Sequence, residues 1–549
     1  MIAAVVGLGS QAAFAVDPDD LESRVTVAGV TAHLEALQSI AEANDGNRAI
    51  GTSGYEASGE YIEQVLTDAG YAPVRQDFQA TTQSIDAFSI TLLGSTTDLE
   101  PPAEGEPAEP ERIPMEGTTA TPADGIVGAA VSVPVTPTGC DAAEWGGTDA
   151  TGTVAVVSRG VCPFSDKAIA AAEAGAVALL VYNNEDGPLN GTLGEQLPEF
   201  VPSVGITQSE GAAVLAALEA GDPVTVDLQL QETTTTVDTF NIIAETPTGD
   251  PTNTVMLGAH LDSVPEGPGI NDNGSGSAAI LETAVQLAAS GPLNNQVRFA
   301  WWGAEEVGLV GSTYYVEDLA ENDPVALDEI ATYLNFDMVA SPNYVISVYD
   351  ADQSTYEAPV EVPEGSIATE KALTDYFDAT GQPWIDTAFD ARSDYDAFIA
   401  YGVPASGLFT GADDVKTDEE VALFGGTAGI THDPNYHSAA DDITNVNAEA
   451  LGIMIGAISS VTGSFANDTS AINGVLPPVE PTPTPTPAPT VAPTAPPVAD
   501  PAGSGPALAA TGAGSGPIDP LVVLPIAVLL LGAGVVVTVL RRREGAARK

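Results

Sequence analysis

Two histidines and a small set of carboxylates stand at spacings that suit metal chemistry. In Gly258-Ala259-His260-Leu261-Asp262 an imidazole and a carboxylate lie two residues apart, on one face of an extended segment. His260 can ligate a metal there while Asp262 accepts the other imidazole proton and orients the ring. In Pro268-Gly269-Ile270-Asn271-Asp272-Asn273-Gly274 the glycines let a loop carry Asp272 inward at the start of a helix. Glu305-Glu306 follows the apolar run Trp301-Trp302-Gly303-Ala304. Adjacent side chains diverge, so one glutamate can bind a metal while the other faces its water. Asn335-Phe336-Asp337 and Tyr436-His437 complete the group.

Alone, each piece is weak. A buried His-x-Asp pair is structural about as often as functional, and a Glu-Glu pair is usually a solvated face. Together, two histidines and three carboxylates make a hard N/O set suited to a pair of Zn²⁺ ions. The chain has only four histidines, His33, His260, His432 and His437. His33 reads as a surface residue of the first helical stretch. His432 competes with His437 for the second imidazole position, and His437 is favoured.

The elements that must position these groups follow from periodicity. Leu34, Leu37 and Ile40, then Tyr61, Val65 and Leu66, recur at helical spacing on either side of the loop 47–52, predicting two amphipathic helices. After Asn241 the pattern becomes strand, loop, helix. Strands are predicted at 254–257, 297–302, 333–336 and 405–409, with a helix at 276–289. Strands alternating with helices imply an α/β sheet, largely parallel, with helices on both faces. Such a sheet presents functional groups beyond the carboxyl ends of its strands, where these residues fall.

The order His-x-Asp, Asn-Asp-Asn, Glu-Glu, Asn-x-Asp, Tyr-His resembles the M28 family of co-catalytic zinc aminopeptidases, of the secreted streptomycete leucine aminopeptidase type. The resemblance covers roughly 30–76 and 238–464 and includes Ala391-Arg392-Ser393-Asp394 and the run 402–412. It implies a zinc-exopeptidase fold and two zinc ions per chain. His260, Asp272 and Asp337 would hold one, and Asp272, Glu306 and His437 the other, with Asp272 bridging. It further implies Glu305 as general base toward a metal-bridging water, Tyr436 as support for the developing oxyanion, and Arg392 and Asp337 at the substrate. The expected reaction is release of N-terminal residues, apolar ones foremost, from peptides with a free amino end. A carboxypeptidase or a glutaminyl cyclase on the same fold, or a display protein that only binds peptides, are the alternatives, and calcium binding stays open. Two departures are visible. Asn435 and Ala440 stand where secreted relatives often carry cysteines, and Tyr395 stands where a histidine is common.

Between the two parts of that resemblance, residues 84–237 form a middle stretch with an acidic, proline-rich insertion at 99–114 that reads as a surface loop. Strands are predicted at 153–158 and 177–182 and a helix at 165–174. Cys140 and Cys162 are the only cysteines, which predicts one disulfide in an exported protein, with a loop-closure stabilisation of about 3 kcal/mol. The runs 152–157, 159–164 and 174–183 resemble a protease-associated (PA) domain, inserted in several exopeptidases. No catalytic group stands out in it.

The ends and the charge bear on location. Residues 2–15 form a short apolar stretch closing with Ala13-Phe14-Ala15, which predicts a signal peptide cut after Ala15; its missing basic start suggests a start codon further upstream. The first part of the peptidase domain is expected at 20–83 and the rest at 238–470. Residues 475–507, rich in Pro and Thr, predict an extended stalk. Leu508-Ala509-Ala510-Thr511-Gly512, the apolar span 521–540 and Arg541-Arg542-Arg543 together resemble the sorting signal of Gram-positive surface proteins. That resemblance implies sortase joining Thr511 to cell-wall peptidoglycan in an actinobacterium-like host. The net charge of −62, from 15 basic and 77 acidic residues, argues against a nucleic-acid partner, since a polyanion is bound through clustered Lys and Arg.

Overall fold

The structure, a computed structural model, describes residues 16–98, 112–184, 187–194 and 196–477. The expected signal peptide, sorting signal, transmembrane helix and basic tail lie outside those residues. So do all but the first three residues of the expected stalk and residues 99–111 of the acidic insertion.

Four buried strands make the centre of the catalytic half. Asp250–His260, Asn295–Trp302, Ile330–Phe336 and Ala405–Phe409 are mutually parallel, in the order 405–409, 330–336, 250–260, 295–302. They read as near-continuous apolar runs because both faces are covered. All seven residues of Ile330–Phe336 are buried. Alternation sends Val255, Leu257, Phe299, Trp301, Leu334 and Phe336 into one core, and Met256, Ala300, Trp302 and Tyr333 into another on the opposite face. The first core is closed by the helices Val27–Ala43, Ser53–Ala69, Gly276–Ala288 and Ala448–Asn467, the second by Val310–Asn322 and Asp396–Ala400. Antiparallel strands flank this parallel centre: Thr225–Glu245 on one side and Ser347–Tyr349 on the other.

The two amphipathic helices form because each has a side-chain cap and one apolar stripe. Thr26 accepts from the Gly29 N–H and Thr52 from the Tyr55 N–H. Gly70, at φ 98°, ends the second in the left-handed conformation that glycine adopts without a Cβ penalty. Val30, Leu34, Leu37 and Ala41 share the buried face of the first. His33 is not a surface residue. Its side chain is only 12% exposed, with Nδ1 2.7 Å from the Tyr61 hydroxyl and Nε2 3.3 Å from a Glu282 oxygen.

A second, smaller parallel sheet runs through Ile126–Ser132, Val154–Ser158, Ala178–Tyr182 and Ser203–Ile206. Helices Phe164–Glu173 and Gln208–Ala220 pack on it, and Arg112–Pro114, the described end of the expected loop, adds an antiparallel edge strand beside Ser203–Ile206. Cys140 and Cys162 are disulfide-bonded, with Cα atoms 6.0 Å apart. The long strands Val74–Leu92 and Thr225–Glu245 pair antiparallel from Val74 opposite Ile243 to Leu92 opposite Val226. They begin beside the catalytic sheet and end beside the smaller one, through Ile126–Ser132. The expected boundaries at 83/84 and 237/238 both fall inside this ladder, which continues past a register shift between Ile85 and Ala87.

Candidate active site

The carboxyl ends of the parallel strands deliver the predicted residues to one buried point. His260 ends its strand, Asp337 follows Phe336, and Glu305-Glu306 follow Trp302 by a turn in which Ala304 has φ 62°. Asp272 arrives on the irregular turn before the helix Gly276–Ala288. His437, at φ 53°, arrives on the loop after Ala405–Phe409. His260 Nε2 lies 3.2 Å from Asp272 Oδ1, 3.3 Å from Asp337 Oδ1 and 4.0 Å from Glu305 Oε2. His437 Nε2 lies 3.2 Å from Asp272 Oδ2 and 3.0 Å from Glu306 Oε2. Asp272 therefore turns one oxygen to each imidazole.

These atoms converge without bonding one another. His260 Nε2, His437 Nε2, Asp337 Oδ1 and Glu306 Oε1 are all buried and have no hydrogen-bond partner. Leaving buried polar atoms unpaired is costly, so such a set calls for a further group between them. Ligands at zinc distance in a tetrahedral shell stand roughly 3.3 Å apart, close to the spacings found here, and the donor types fit zinc. His432 stays outside the cluster, with Nε2 3.5 Å from Glu420.

Electrostatics agree with a site built for cations. Burial pushes the Glu306 carboxyl up to about 8, reinforced by the nearby Asp272. Burial likewise pushes Glu305 well above the usual carboxylate range, against the pull of His260 and with help from Asp337 and Asp394. For the imidazoles burial disfavours the charge, yet Glu305 and Asp337 outweigh it at His260, and Glu306 and Asp272 at His437, raising both. Burial also opposes ionisation of Asp272, but the flanking histidines hold it well below its ordinary range.

Asp262 departs from its expected contact. His260 Nδ1 lies 3.1 Å from the carbonyl oxygen of Asp262 and 3.8 Å from its carboxylate. The carboxylate instead accepts the backbone N–H groups of Glu305 and Glu306, each at 3.3 Å. The chain turns after His260, so the carbonyl reaches the ring first and the side chain is left to hold the Glu-Glu turn. Asp337 is fixed by a relay in which Trp302 donates to the Tyr333 hydroxyl (2.8 Å), Tyr333 to Asn335 (3.0 Å), Asn335 to Ser393 (2.8 Å) and Ser393 to Asp337 Oδ2 (2.7 Å). Tyr436 stacks on His437 with ring centroids 3.8 Å apart. Arg392 pairs with Asp413 at 3.0 Å and lies in the charge field of Tyr436.

Sequence reasoning missed three residues. Arg48, read as part of a connecting loop, is fully buried and donates to the carbonyls of Leu261, Pro268 and Gly269, pinning both ligand-bearing loops. A lone arginine in an apolar loop of so acidic a chain was the available signal. Asp394 is buried beside His260 and Asp337, its carboxyl pushed up to about 7 by burial. Glu116, from the smaller domain, lies in the charge field of His437, Arg392, Glu266 and Asp272, and burial raises its carboxyl. A single glutamate more than a hundred residues away in sequence carries no signal of this. Farther off, Asp350, Glu370 and Asp386 form another carboxylate cluster, whose oxygens accept mainly from backbone N–H and nearby hydroxyl groups.

Comparison with known proteins agrees with this geometry. Residues 241–462 match the model of peptidase family M28, and residues 127–214 that of the PA domain. The chain is 44% identical over 461 residues to a protein of Mycobacterium tuberculosis named probable lipoprotein aminopeptidase LpqL, covering 83% of this chain and 88% of that one. The chain belongs to peptidase family M28. Leucine aminopeptidase 2 of Trichophyton tonsurans is 40% identical over 457 residues, covering 82% of this chain and 86% of that one. Among solved structures, the aminopeptidase of Aneurinibacillus sp. strain AM-1 superposes with a TM-score of 0.62 at 25% identity, over 85% of this chain and 98% of that one. A zinc aminopeptidase of Bacillus subtilis, at 24% identity and TM-score 0.53, shares the fold. This M28 peptidase thus combines the family's mixed α/β sheet with an inserted PA domain.

Proposed function

We propose that this M28 peptidase is a co-catalytic zinc aminopeptidase, holding two zinc ions and releasing N-terminal residues from peptides. The observation that carries the reading is Asp272, with one oxygen turned to His260, which also faces Asp337, and the other to His437, which also faces Glu306, among four buried atoms that lack partners. The aminopeptidase names of the Mycobacterium and Trichophyton relatives support the end of the peptide that is attacked.

His260, Asp272 and Asp337 would hold one ion, and Asp272, Glu306 and His437 the other. Bound there, the pair would acidify a water and polarise the scissile carbonyl. Glu305, close to His260 and Asp337, would take the proton of that water as general base and hand it to the leaving amine as general acid. Asp262 fixes the Glu305 and Glu306 backbone, so base and ligand keep their divergent aims. Tyr436 supports the charge growing on the carbonyl oxygen. Arg392 and Asp337 position the substrate, the latter offering a carboxylate to its free amine.

The reading extends to location. Export by the signal peptide and attachment to peptidoglycan through Thr511 would place the enzyme on the cell surface, held off by the stalk; the lipoprotein name of the Mycobacterium relative is consistent with a surface site. Cell fractionation of a Thr511→Ala variant tests this, since the enzyme should leave the wall fraction.

The activity test uses the purified chain with zinc and a leucine-initiated peptide. Release of the first residue, sparing of the N-acetylated peptide, and two zinc ions per chain are expected. Equal cleavage of the blocked peptide would remove the aminopeptidase reading. An apolar preference is read from a series of first residues, and a calcium requirement from the same assay with and without calcium.

A further inference from the structure

The second metal position depends on two segments far apart in sequence, the turn carrying Asp272 and the loop carrying His437. No covalent link joins them: the chain's two cysteines are bonded to each other in the PA domain. His437 sits at φ 53°, a conformation a residue with a Cβ holds only when its surroundings enforce it.

A buried polar network joins the two segments. Asp441 accepts the backbone N–H of Asn271 on Oδ1 (2.9 Å) and that of Asp272 on Oδ2 (3.0 Å), while its own carbonyl accepts from the Ile270 N–H (3.0 Å). Asn445 Nδ2 donates to Asp441 Oδ1 at 2.8 Å and to Asp433 at 2.9 Å, and its Oδ1 accepts from Asn435 at 2.8 Å. Asp433 also accepts from the Asn271 side chain at 2.6 Å. Asp433, Asp441, Asn445 and Asn271 are at most 3% exposed. Asn435 and Asp441 bracket His437, so the network holds both flanks of the histidine and the backbone of the aspartate at once.

We infer that Asp441 and Asn445 are positioning residues that keep Asp272 and His437 in register for one metal ion, the work a cross-link would otherwise do. A carboxylate is needed at 441 because two backbone donors arrive from one side. An asparagine there has the same shape but would turn an N–H₂ toward one of them. The inference rests on the zinc reading above.

The test is zinc titration of the full chain against a chelator, with cobalt spectra reporting each site, for the parent, Asp441→Asn and Asn445→Ala. Loss of an outer-shell partner costs about ten- to a hundredfold in metal affinity or activity. Such a loss is expected chiefly at the ion held by His437, and less at the ion that shares Asp272 but not His437, with kcat falling alongside, KM within about twofold, and excess zinc restoring turnover. A variant with a lowered melting temperature but parental affinity at both sites would overturn the inference, since that is the outcome of a purely structural network. If Asp441→Asn and Asn445→Ala fail to fold, Asn435→Ala, at the half-exposed end, must show the same unequal loss at smaller scale or the inference falls. A parent chain that binds no zinc overturns the zinc reading itself, which separates the two failures.

Discussion

The catalytic sheet and the PA sheet are both parallel at their centres, with helices packed alongside, and both carry polar residues at or beyond the ends of their strands. They differ in what those residues do. In the PA domain most of the polar groups are spent on the fold. Thr207 and Glu210 cap the helix Gln208–Ala220 reciprocally, and Arg159 bonds to Asn183 across two strand ends. Even its buried cations are satisfied: Lys167 donates to the carbonyls of Thr138 and Gly160, and Arg112 to those of Ile90, Leu92 and Ser95 and to Glu210. The PA region's buried unpaired side-chain atoms among the described residues, Trp145 Nε1 and Glu232 Oε2, stand on separate elements, whereas in the catalytic domain His260 Nε2, His437 Nε2, Asp337 Oδ1 and Glu306 Oε1 are left unpaired within one cluster. The same topology supports a scaffold when its polar groups are satisfied and a reactive centre when they converge unsatisfied.

The largest effect that would sharpen this contrast is at Glu305. Glu305→Ala should lower kcat by about 10²- to 10⁴-fold, the usual contribution of a general base, while zinc content measured by elemental analysis stays at the parental value. Full activity in the variant would remove Glu305 as the base. Next comes metal removal. In the metal-free protein Glu306 titrates at about 8 and both imidazoles are raised, so at neutral pH the site holds protons that zinc must displace. Calorimetry in buffers of differing ionisation enthalpy should therefore record proton release on zinc binding. Apparent affinity should rise with pH through about 8, where Glu306 ionises, and flatten only once the raised imidazoles have also lost their protons. A pH-independent affinity would contradict the proton inventory.

The PA domain should respond in the opposite manner. Replacing Cys140 and Cys162 by serine opens a loop of 22 residues' separation and should cost about 3 kcal/mol of stability, read by denaturant unfolding. Turnover of a dipeptide should stay near the parental value. A loss of kcat as large as that of Glu305→Ala would mean that the insert shapes the reacting centre directly.

Much of this was legible in the sequence where periodicity and chemistry coincide: His260 ends an apolar strand, and Asp337 and Glu305-Glu306 follow apolar strands closely. Asp272 and His437 arrive on longer connections, and there residue type and order, not periodicity, were the signal. What sequence could not resolve depends on backbone direction or on distant partners. Whether His260 Nδ1 finds the carbonyl or the carboxylate of Asp262 turns on a bend that both outcomes would share in sequence. Arg48 and Asp441 act by bonding backbone carbonyls and N–H groups about 170 to 220 positions away, and backbone groups leave no residue signature; Asn445 bonds the side chains of Asp433, Asn435 and Asp441, a common loop composition that singles out no one residue. The strands Val74–Leu92 and Thr225–Glu245 cross the expected domain boundaries at 83/84 and 237/238, because a β-ladder needs only paired backbone and tolerates a change in what its side chains face.

The smallest predicted effect tests how far the contrast holds. Glu116 belongs to the PA domain by sequence but stands in the field of His437, Arg392 and Asp272, so it is the group through which the scaffold can influence the chemistry. It is not among the groups that converge on the two histidines, so Glu116→Gln should leave zinc content and the kcat for an apolar dipeptide unchanged. Unit charges in partly solvated surroundings attract by about 1 kcal/mol, which corresponds to roughly fivefold. The variant should lose about that factor in kcat/KM for peptides with a lysine or arginine near the amino end, relative to leucine peptides. The ratio should shrink toward one in high salt, where exposed charge pairs are screened. An unchanged ratio at low salt would leave the PA sheet a scaffold only, and the division between the two regions complete.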